Sequence, residues 1–331
     1  MHRRLEVLTG VGAVAAVVAA LAGGPAVAGG DQAATGGGDG VARSAVKVPL
    51  LAGGKQGAAS FVGSARPAVR VNARSAAFQV TYHGFTPAAR TAFQAAVNIW
   101  AGRVSSTVPI TVDATFSPLG SGVLGAAGPN FIWRDFAGAP KPNTWYADAI
   151  ANKRAGEQMD ASPDIVASFN SDFTNWYFGT NGVTPAGTYD FESVVLHELG
   201  HGLGFLGAGQ MASGRGTIRL QGLPLSYDRF TETGAGTRLV TFPDNSTELG
   251  TQLTSNNVFF DSVKVRNANG GQTARLYAPG TWAPGSSYSH LNEATYPKGS
   301  ANSLMTPVLN AAEAIHSPGT ITPALLRSIG W

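Results

Sequence analysis

The chain has 331 residues, of which 44% are hydrophobic and 13% charged, a composition typical of a folded globular protein. The formal net charge is only +3 and the basic residues are scattered, which excludes the Lys/Arg clusters of nucleic-acid-binding proteins. The chain has no cysteine, which excludes disulfides and excludes inhibition of a metal site by a bound cysteine. Its 43 glycines favour loops and strands over a helical bundle.

The N-terminus has the features of a secretory signal peptide. Arg3 and Arg4 precede an apolar run over residues 8–21, and the small-x-small sequence Ala26-Val27-Ala28 follows. We therefore predict a signal peptide over residues 1–28, an extracellular protein, and no membrane span in the mature chain. An N-terminal membrane anchor is the alternative, although no stop-transfer flank follows the run, and the arginine pair leaves twin-arginine export open.

Residues 29–76 are rich in Gly, Ala and Ser and have no sustained periodicity. This composition predicts a propeptide or linker without regular structure. The folded domain is expected to cover residues 77–331.

The first elements of this domain follow from local patterns. Residues 78–82 alternate apolar and polar side chains, as a half-buried strand does. Thr86 and Pro87 are a suitable N-cap and first residue for a helix that carries apolar residues at helical spacing. Further strands are predicted at residues 108–112, 131–133 and 164–169.

A second helix is predicted over residues 191–202, with Asp190 as its N-cap and glycines at its end. Residues 207–289 carry turn signals and short apolar runs, which indicate a strand-rich or loop-rich insertion, and a short helix is predicted over residues 323–329. This order of elements predicts an α+β fold.

The second helix carries the sequence His197-Glu198-Leu199-Gly200-His201. Residues four apart lie on one face of a helix, so both histidines can bind one metal ion. Glu198 is placed to act on a metal-activated water as general base. Two solvated histidines on an amphipathic helix are the alternative. The neighbouring leucines at positions 196, 199 and 203 argue against it because they indicate a buried helix.

A catalytic zinc needs a third protein ligand. The residues leave this choice open among three histidines and three carboxylates, namely His83, His290, His316, Asp228, Glu232 and Asp261. His83 lies at the end of a predicted strand, a position that favours a structural role. His316 is expected either in a solvated loop or in the lining of a cleft. Asp228 is the best carboxylate candidate, although it can also pair with Arg229 or bind a structural cation.

Residues His197 to Phe205 resemble the first two ligands and the glycine of the metzincin metalloproteases. The compact metzincin motif is excluded because Gly207 stands where its third histidine would be. The leishmanolysin branch separates the glycine from the third histidine by an insertion. Ser289-His290-Leu291 and Leu304-Met305-Thr306-Pro307 are similar to its late histidine and its methionine turn, and the tail over residues 325–331 is similar to its closing helix. That family is rich in cysteine and this chain has none, so the resemblance is distant.

The resemblance implies a zinc-dependent endopeptidase with a twisted mixed sheet and two helices in its N-terminal half and an irregular C-terminal half. It assigns roles as follows: His197, His201 and His290 bind Zn2+, Glu198 is the general base, Met305 packs under the metal, and Gly204 permits a turn. Independently of the resemblance, Asp228 is the fallback ligand. Protein or peptide substrates would pair with an edge strand, either residues 164–169 or residues 123–126.

An exported binding or adhesion protein with a structural or degenerate zinc site is the alternative function. Glu198 distinguishes the two, since a structural site does not need a carboxylate beside an open coordination position. A structural Ca2+ ion in the insertion over residues 207–289 is a further option, but no feature of the sequence supports it.

Overall fold

A computed structural model describes residues 40–43, 46–54, 58–63 and 76–331. The predicted signal peptide and its cleavage site lie outside the described residues. Within the described part of the chain, no helix is long and apolar enough to cross a membrane.

The described residues form six α-helices and eighteen short strands. The helices are α1 (Pro87–Ala101), α2 (Asp148–Ala155), α3 (Phe191–Gly202), α4 (Thr247–Leu253), α5 (Val263–Ala268) and α6 (Ile321–Ile329). The strands before α3 are β1 (Gly40–Arg43), β2 (Val48–Gly53), β3 (Ser60–Val62), β4 (Phe78–His83), β5 (Ile110–Ser117), β6 (Val123–Pro129), β7 (Phe131–Arg134), β8 (Tyr146–Ala147), β9 (Ile165–Asn170), β10 (Trp176–Tyr177) and β11 (Tyr189–Asp190). Those after it are β12 (Gln210–Ala212), β13 (Arg215–Thr217), β14 (Thr231–Thr233), β15 (Val258–Phe260), β16 (Ala274–Arg275), β17 (Val308–Asn310) and β18 (Glu313–Ile315).

A six-stranded mixed sheet organises the fold, in the order β17-β2-β6-β9-β5-β4. Strands β4, β5 and β9 are parallel, β6 is antiparallel to both β9 and β2, and β2 is parallel to β17. The fold is therefore α+β with a mixed sheet, as the sequence predicts. Both strands expected at the sheet edge lie inside it, because β9 is flanked by β5 and β6, and β6 is flanked by β9 and β2.

Helices α1 and α3 pack together and α3 contacts the sheet. The indole N–H of Trp100 in α1 donates a hydrogen bond to the Leu196 carbonyl of α3 over 2.8 Å. Phe169 of β9 lies between Phe93 and Phe191, with ring centroids 5.6 and 5.4 Å away. These contacts fix the helix that carries the histidine motif against the central strands.

The two helices with capping signals form where they were predicted. Thr86 accepts a hydrogen bond from the backbone N–H of Ala89, and Pro87 is the first residue of α1. Asp190 accepts from the N–H of Ser193 at the start of α3. Helix α2 was not predicted, so the N-terminal half has three helices instead of two. It lacks an apolar stripe because Asp148 and Asn152 are among its buried residues.

The prediction of no regular structure in residues 29–76 was wrong for three stretches. Strands β1, β2 and β3 form there, and β2 is buried in the main sheet between β6 and β17. The side chains of Val48 and Leu50 are buried there, and this apolar burial stabilises a strand that the surrounding Gly/Ala-rich sequence could not stabilise.

The C-terminal half consists of short elements joined by long connections. Residues 207–289, expected to be strand-rich or loop-rich, also form helices α4 and α5. A small sheet of β14, β15 and β16 lies there. Beside it, the Asp261 carboxylate is paired with Arg238 over 3.1 Å and with Arg266. Glu232 also pairs with Arg238, over 3.4 Å. These two carboxylates neutralise arginines and are not part of a metal-binding cluster.

Candidate metal centre

Three buried histidines, His197, His201 and His290, lie close enough together to bind one metal ion. The Nε2 atoms of His197 and His201 are 2.9 Å apart, and each lies 3.3 Å from the Nε2 atom of His290. Among the described residues this is the one group of three or more His, Cys, Asp or Glu side chains with such geometry. The structure therefore brings the late histidine to the helical pair.

Each ring is oriented by a backbone carbonyl that accepts a hydrogen bond from its Nδ1 atom. The acceptors are Leu304 for His197 at 2.6 Å, Phe205 for His201 at 2.7 Å and Ser286 for His290 at 2.7 Å. A carbonyl oxygen can only accept, so Nδ1 carries the proton in all three rings and each Nε2 presents a lone pair.

All three rings are neutral near pH 7. Burial lowers the pKa of His197 to about 4, and it lowers the pKa values of His201 and His290 well below the usual range. Three converging lone pairs repel one another unless a cation lies between them. The donor set of three imidazole nitrogens therefore fits a divalent metal ion, with zinc as the usual choice for three histidines.

Glu198 follows His197 in α3 and is fully buried. Its Oε1 atom accepts a hydrogen bond from the backbone N–H of Leu50 over 3.2 Å. Its Oε2 atom is buried and has no hydrogen-bond partner in the described part of the chain. Burial raises the pKa of this carboxyl well above its ordinary value, and the backbone N–H groups of Leu50 and Ala127 oppose that rise. A nearby divalent cation would favour the ionised form.

The turn after α3 places the acceptor for His201. Gly204 has a φ of +107°, which a residue with a Cβ rarely adopts. An added Cβ there would also lie 3.0 Å from Ile150. The chain reverses at this point and returns the Phe205 carbonyl to the His201 ring. The predicted structural role of Gly204 agrees with this geometry.

Met305 is completely buried against α3. A Cβ added to Gly200 would lie 2.9 Å from the Met305 sulfur, so the glycine inside the motif leaves room for the thioether. The backbone carbonyl of Met305 accepts from the N–H of Leu291, next to the third histidine, over 2.7 Å. The preceding residue, Leu304, orients His197. Met305 thus belongs to the segment that holds two of the three rings.

Asp228, the fallback ligand, is not part of the histidine group. Its carboxylate accepts hydrogen bonds from the N–H of Leu225 at 2.8 Å, the N–H of Ala208 at 3.0 Å and the hydroxyl of Tyr288 at 2.9 Å. Burial raises its pKa to about 7. It connects the chain after α3 to Tyr288, two residues before His290, and so it supports the position of the third ring.

The other two histidine candidates lie elsewhere. His83 ends β4 and pairs with Asp113 over 3.0 Å, which agrees with a structural role. The prediction of a solvated loop for His316 was wrong, because only 8% of its side chain is exposed. It lies 2.9 Å from Asp190 and 3.6 Å from Glu192, at the N-terminus of α3.

Sequence reasoning missed Leu50 as a neighbour of Glu198. The sequence did carry a signal for it. Val48-Pro49-Leu50-Leu51-Ala52 is a run of consecutive apolar residues, and such short runs are typical of a buried strand. The three carbonyls that orient the rings had no such signal, because any residue type can supply one.

Comparison of the chain with protein-family models, with curated proteins and with solved structures finds no match. The function is therefore argued from the chemistry of the site.

Proposed function

We propose that this chain is an exported zinc-dependent endopeptidase in which Glu198 is the general base. The observation that carries this proposal is the convergence of three neutral imidazoles beside a buried carboxylate oxygen without a partner. A zinc ion bound there would supply Lewis acidity, which lowers the pKa of a water molecule and polarises a substrate carbonyl. Its ligands would be His197, His201 and His290.

Glu198 performs the proton transfers in this proposal. Its carboxylate accepts the proton of the attacking water and returns it to the amine that leaves when the peptide bond breaks. Burial places this carboxylate in a medium of low dielectric constant, where its interaction with a positive site is strong. Three neutral histidines would leave the positive charge of a bound metal uncompensated, and that charge would favour the ionised form of Glu198.

The backbone also contributes to the site. The three Nδ1–carbonyl hydrogen bonds hold the rings in one tautomer and one orientation, which increases metal affinity by typically 10- to 100-fold. His201 and His290 each receive a carbonyl from a residue four positions away, whereas His197 depends on Leu304, far along the chain.

The finer assignment, a zincin fold of the metzincin type, rests on the resemblance and on three supporting features. These are the glycine turn at Gly204, the buried Met305 packed against α3, and His290 arriving after a long insertion. Secretion rests on the predicted signal peptide alone.

One observation favours the rival, a binding or adhesion protein with a structural metal. Each of His197, Glu198, His201 and His290 has 0% of its surface exposed. A hydrolase must admit its substrate to the metal, and a structural site need not. The rival leaves Glu198 without a role, however, and a structural zinc normally takes a fourth protein ligand, which the described residues do not provide.

The deciding experiment compares zinc content and casein hydrolysis in wild type, Glu198→Gln, His290→Ala and the control His83→Ala. We expect about one zinc per chain in all but His290→Ala. Glu198→Gln should retain zinc and lose roughly 10²- to 10⁴-fold in rate, while the control, which alters an exposed histidine, should match wild type.

Two results would contradict the proposal. Zinc absent from wild type would exclude the metal centre. Zinc bound without hydrolysis, even after the N-terminal segment has been removed, would favour the structural site.

A further inference from the structure

Strand β2 covers the only carboxylate that the proposed reaction uses. The Leu50 N–H lies 3.2 Å from Glu198 Oε1. A water molecule and a scissile peptide bond must come within about 2.6–3.2 Å of the general base. Leu50 occupies that shell at Oε1, and β2 lies between β6 and β17, where an extended substrate would have to pass.

The ladder between β2 and β6 is irregular next to this N–H. The register between β2 and β6 shifts between Leu50 and Leu51. Leu50 pairs with Gly125 and Leu51 pairs with Val123, so Leu124 is the extra residue and the bulge lies on β6. The N–H of Ala52 returns to the ladder and donates to the Gly122 carbonyl over 2.8 Å. Beside the bulge, the N–H of Leu50 donates to the Glu198 carboxylate.

Strand β2 is held on both sides, as a bound peptide would be in a groove. On one side it runs antiparallel to β6. On the other it runs parallel to β17, which follows Met305, and the N–H of Leu51 donates to the Pro307 carbonyl over 3.3 Å. Main-chain pairing of this kind is how proteins bind extended peptides.

The segment also contacts the loop that leads to the third histidine. A Cβ added to Gly285 would lie 2.9 Å from the ring of Pro49. The next residue, Ser286, gives its carbonyl to His290. Strand β2 thus contacts β6, this loop and the Glu198 carboxylate.

We propose that residues Val48–Gly53 are an internal pseudosubstrate, which fills the peptide-binding groove and keeps the enzyme latent until the strand is displaced or removed. This inference rests on the proposed function. The groove then binds extended peptides that carry small and branched apolar side chains like those of Val48, Pro49 and Leu50, antiparallel to β6. Latency needs no cysteine, in keeping with a chain that has none.

The main test frees the groove in the folded protein. A recognition sequence for a site-specific protease replaces part of residues 64–75, and the zinc-loaded chain is cut after folding and separated from its N-terminal segment. We expect hydrolysis to rise about 100-fold, the ratio of a millimolar effective concentration for a tethered segment to a ~10 μM affinity for the free one. A synthetic peptide of residues 46–54 should restore inhibition.

A binding assay gives a readout without catalysis. The labelled peptide of residues 46–54 is titrated into the cut, zinc-free Glu198→Gln chain and followed by fluorescence anisotropy. The glutamine keeps an acceptor for the Leu50 N–H. The same peptide with Leu50→Pro lacks that donor and should bind roughly tenfold more weakly.

A full-chain variant tests the same contact without cutting. Leu50→Pro should raise the activity of the intact chain, whereas Ala59→Pro, at an exposed position of the same segment, should not. If Leu50→Pro does not fold, the comparison of hydrolysis by the intact and the cut chain tests the proposal instead.

The outcomes separate the two proposals. Peptide binding with no hydrolysis in either form would keep the groove and overturn the endopeptidase. Equal hydrolysis by intact and cut chains, with no peptide binding, would overturn the pseudosubstrate and keep the endopeptidase. Unfolding of the cut chain upon loss of the segment would show that β2 is a permanent strand and would also overturn it.

Discussion

Replacing Asp148 with Asn should remove a pH-dependent loss of stability. The Asp148 carboxyl accepts a hydrogen bond from the Trp133 indole over 2.8 Å, and its Oδ2 atom is buried without a hydrogen-bond partner in the described part of the chain. Burial and then the charge of Asp164 raise its pKa from the ordinary 3.8 to about 8. The folded protein therefore keeps a proton that the unfolded chain has already lost.

The sign and size follow from proton linkage. Between these two pKa values the folded state binds more protons, so stability is highest at low pH and falls as pH rises towards about 8. The fall is about 1.4 kcal/mol per pH unit, or roughly 3–4 kcal/mol between about pH 5 and about pH 8. At about 2–4 °C per kcal/mol, this corresponds to roughly 10 °C in melting temperature.

Thermal unfolding of wild type, Asp148→Asn and the control Asp172→Asn across this pH range provides the assay. The melting temperature of Asp148→Asn relative to wild type should rise by roughly 10 °C from the acidic to the basic end. Asp172 is exposed, and its variant should follow wild type throughout. A constant difference between Asp148→Asn and wild type would refute the reasoning that burial keeps this carboxyl protonated.

Three further changes test the support of the metal centre. Asp228→Asn should leave unpaired one of the three donors that bind this carboxylate, the N–H groups of Ala208 and Leu225 and the Tyr288 hydroxyl. We expect the free energy of unfolding in urea to fall by about 1–3 kcal/mol and zinc binding to weaken in a chelator competition. Gly204→Ala combines a φ of +107° with a contact at 3.0 Å to Ile150, so the urea midpoint should fall by the equivalent of about 1–3 kcal/mol. Met305→Ala should cost about 2–5 kcal/mol in the same measurement and Met305→Leu less than about 1.5, with zinc retained in the latter; equal costs would contradict its packing role.

Local chemistry made the two main helices predictable. Thr86, Pro87 and Asp190 satisfy or remove backbone donors that a helix start leaves unpaired, and such signals act over a few residues. The pair His197 and His201 needed only helical spacing. These predictions depended on no contact between distant parts of the chain.

The position of the third histidine could not be derived in this way. His290 is placed by long-range backbone bonds, in which its carbonyl accepts from Tyr277 and the N–H of Leu291 donates to Met305. Neither bond depends on side-chain identity, so no residue pattern records it. Only the resemblance to a known family distinguished His290 from the other candidates.

Strand β2 and helix α2 were missed for different reasons. In β2, five apolar residues are surrounded by glycine, alanine and serine, and the average composition of the segment concealed them. In α2, buried Asp148 and Asn152 form a polar network with Asp164, in which Asn152 donates to the Asp164 carboxylate over 2.5 Å. A helix stabilised by polar contacts has no apolar period to detect.

The position of β2 also constrains the order in which the chain can fold. Strand β17, near the C-terminus, joins the main sheet only through β2, near the N-terminus, and β18 pairs with β3 from the same early segment. Contacts between the two ends of a chain form slowly, because a very large loop must close before they are made. The sheet therefore cannot be completed until the last residues of the chain are available.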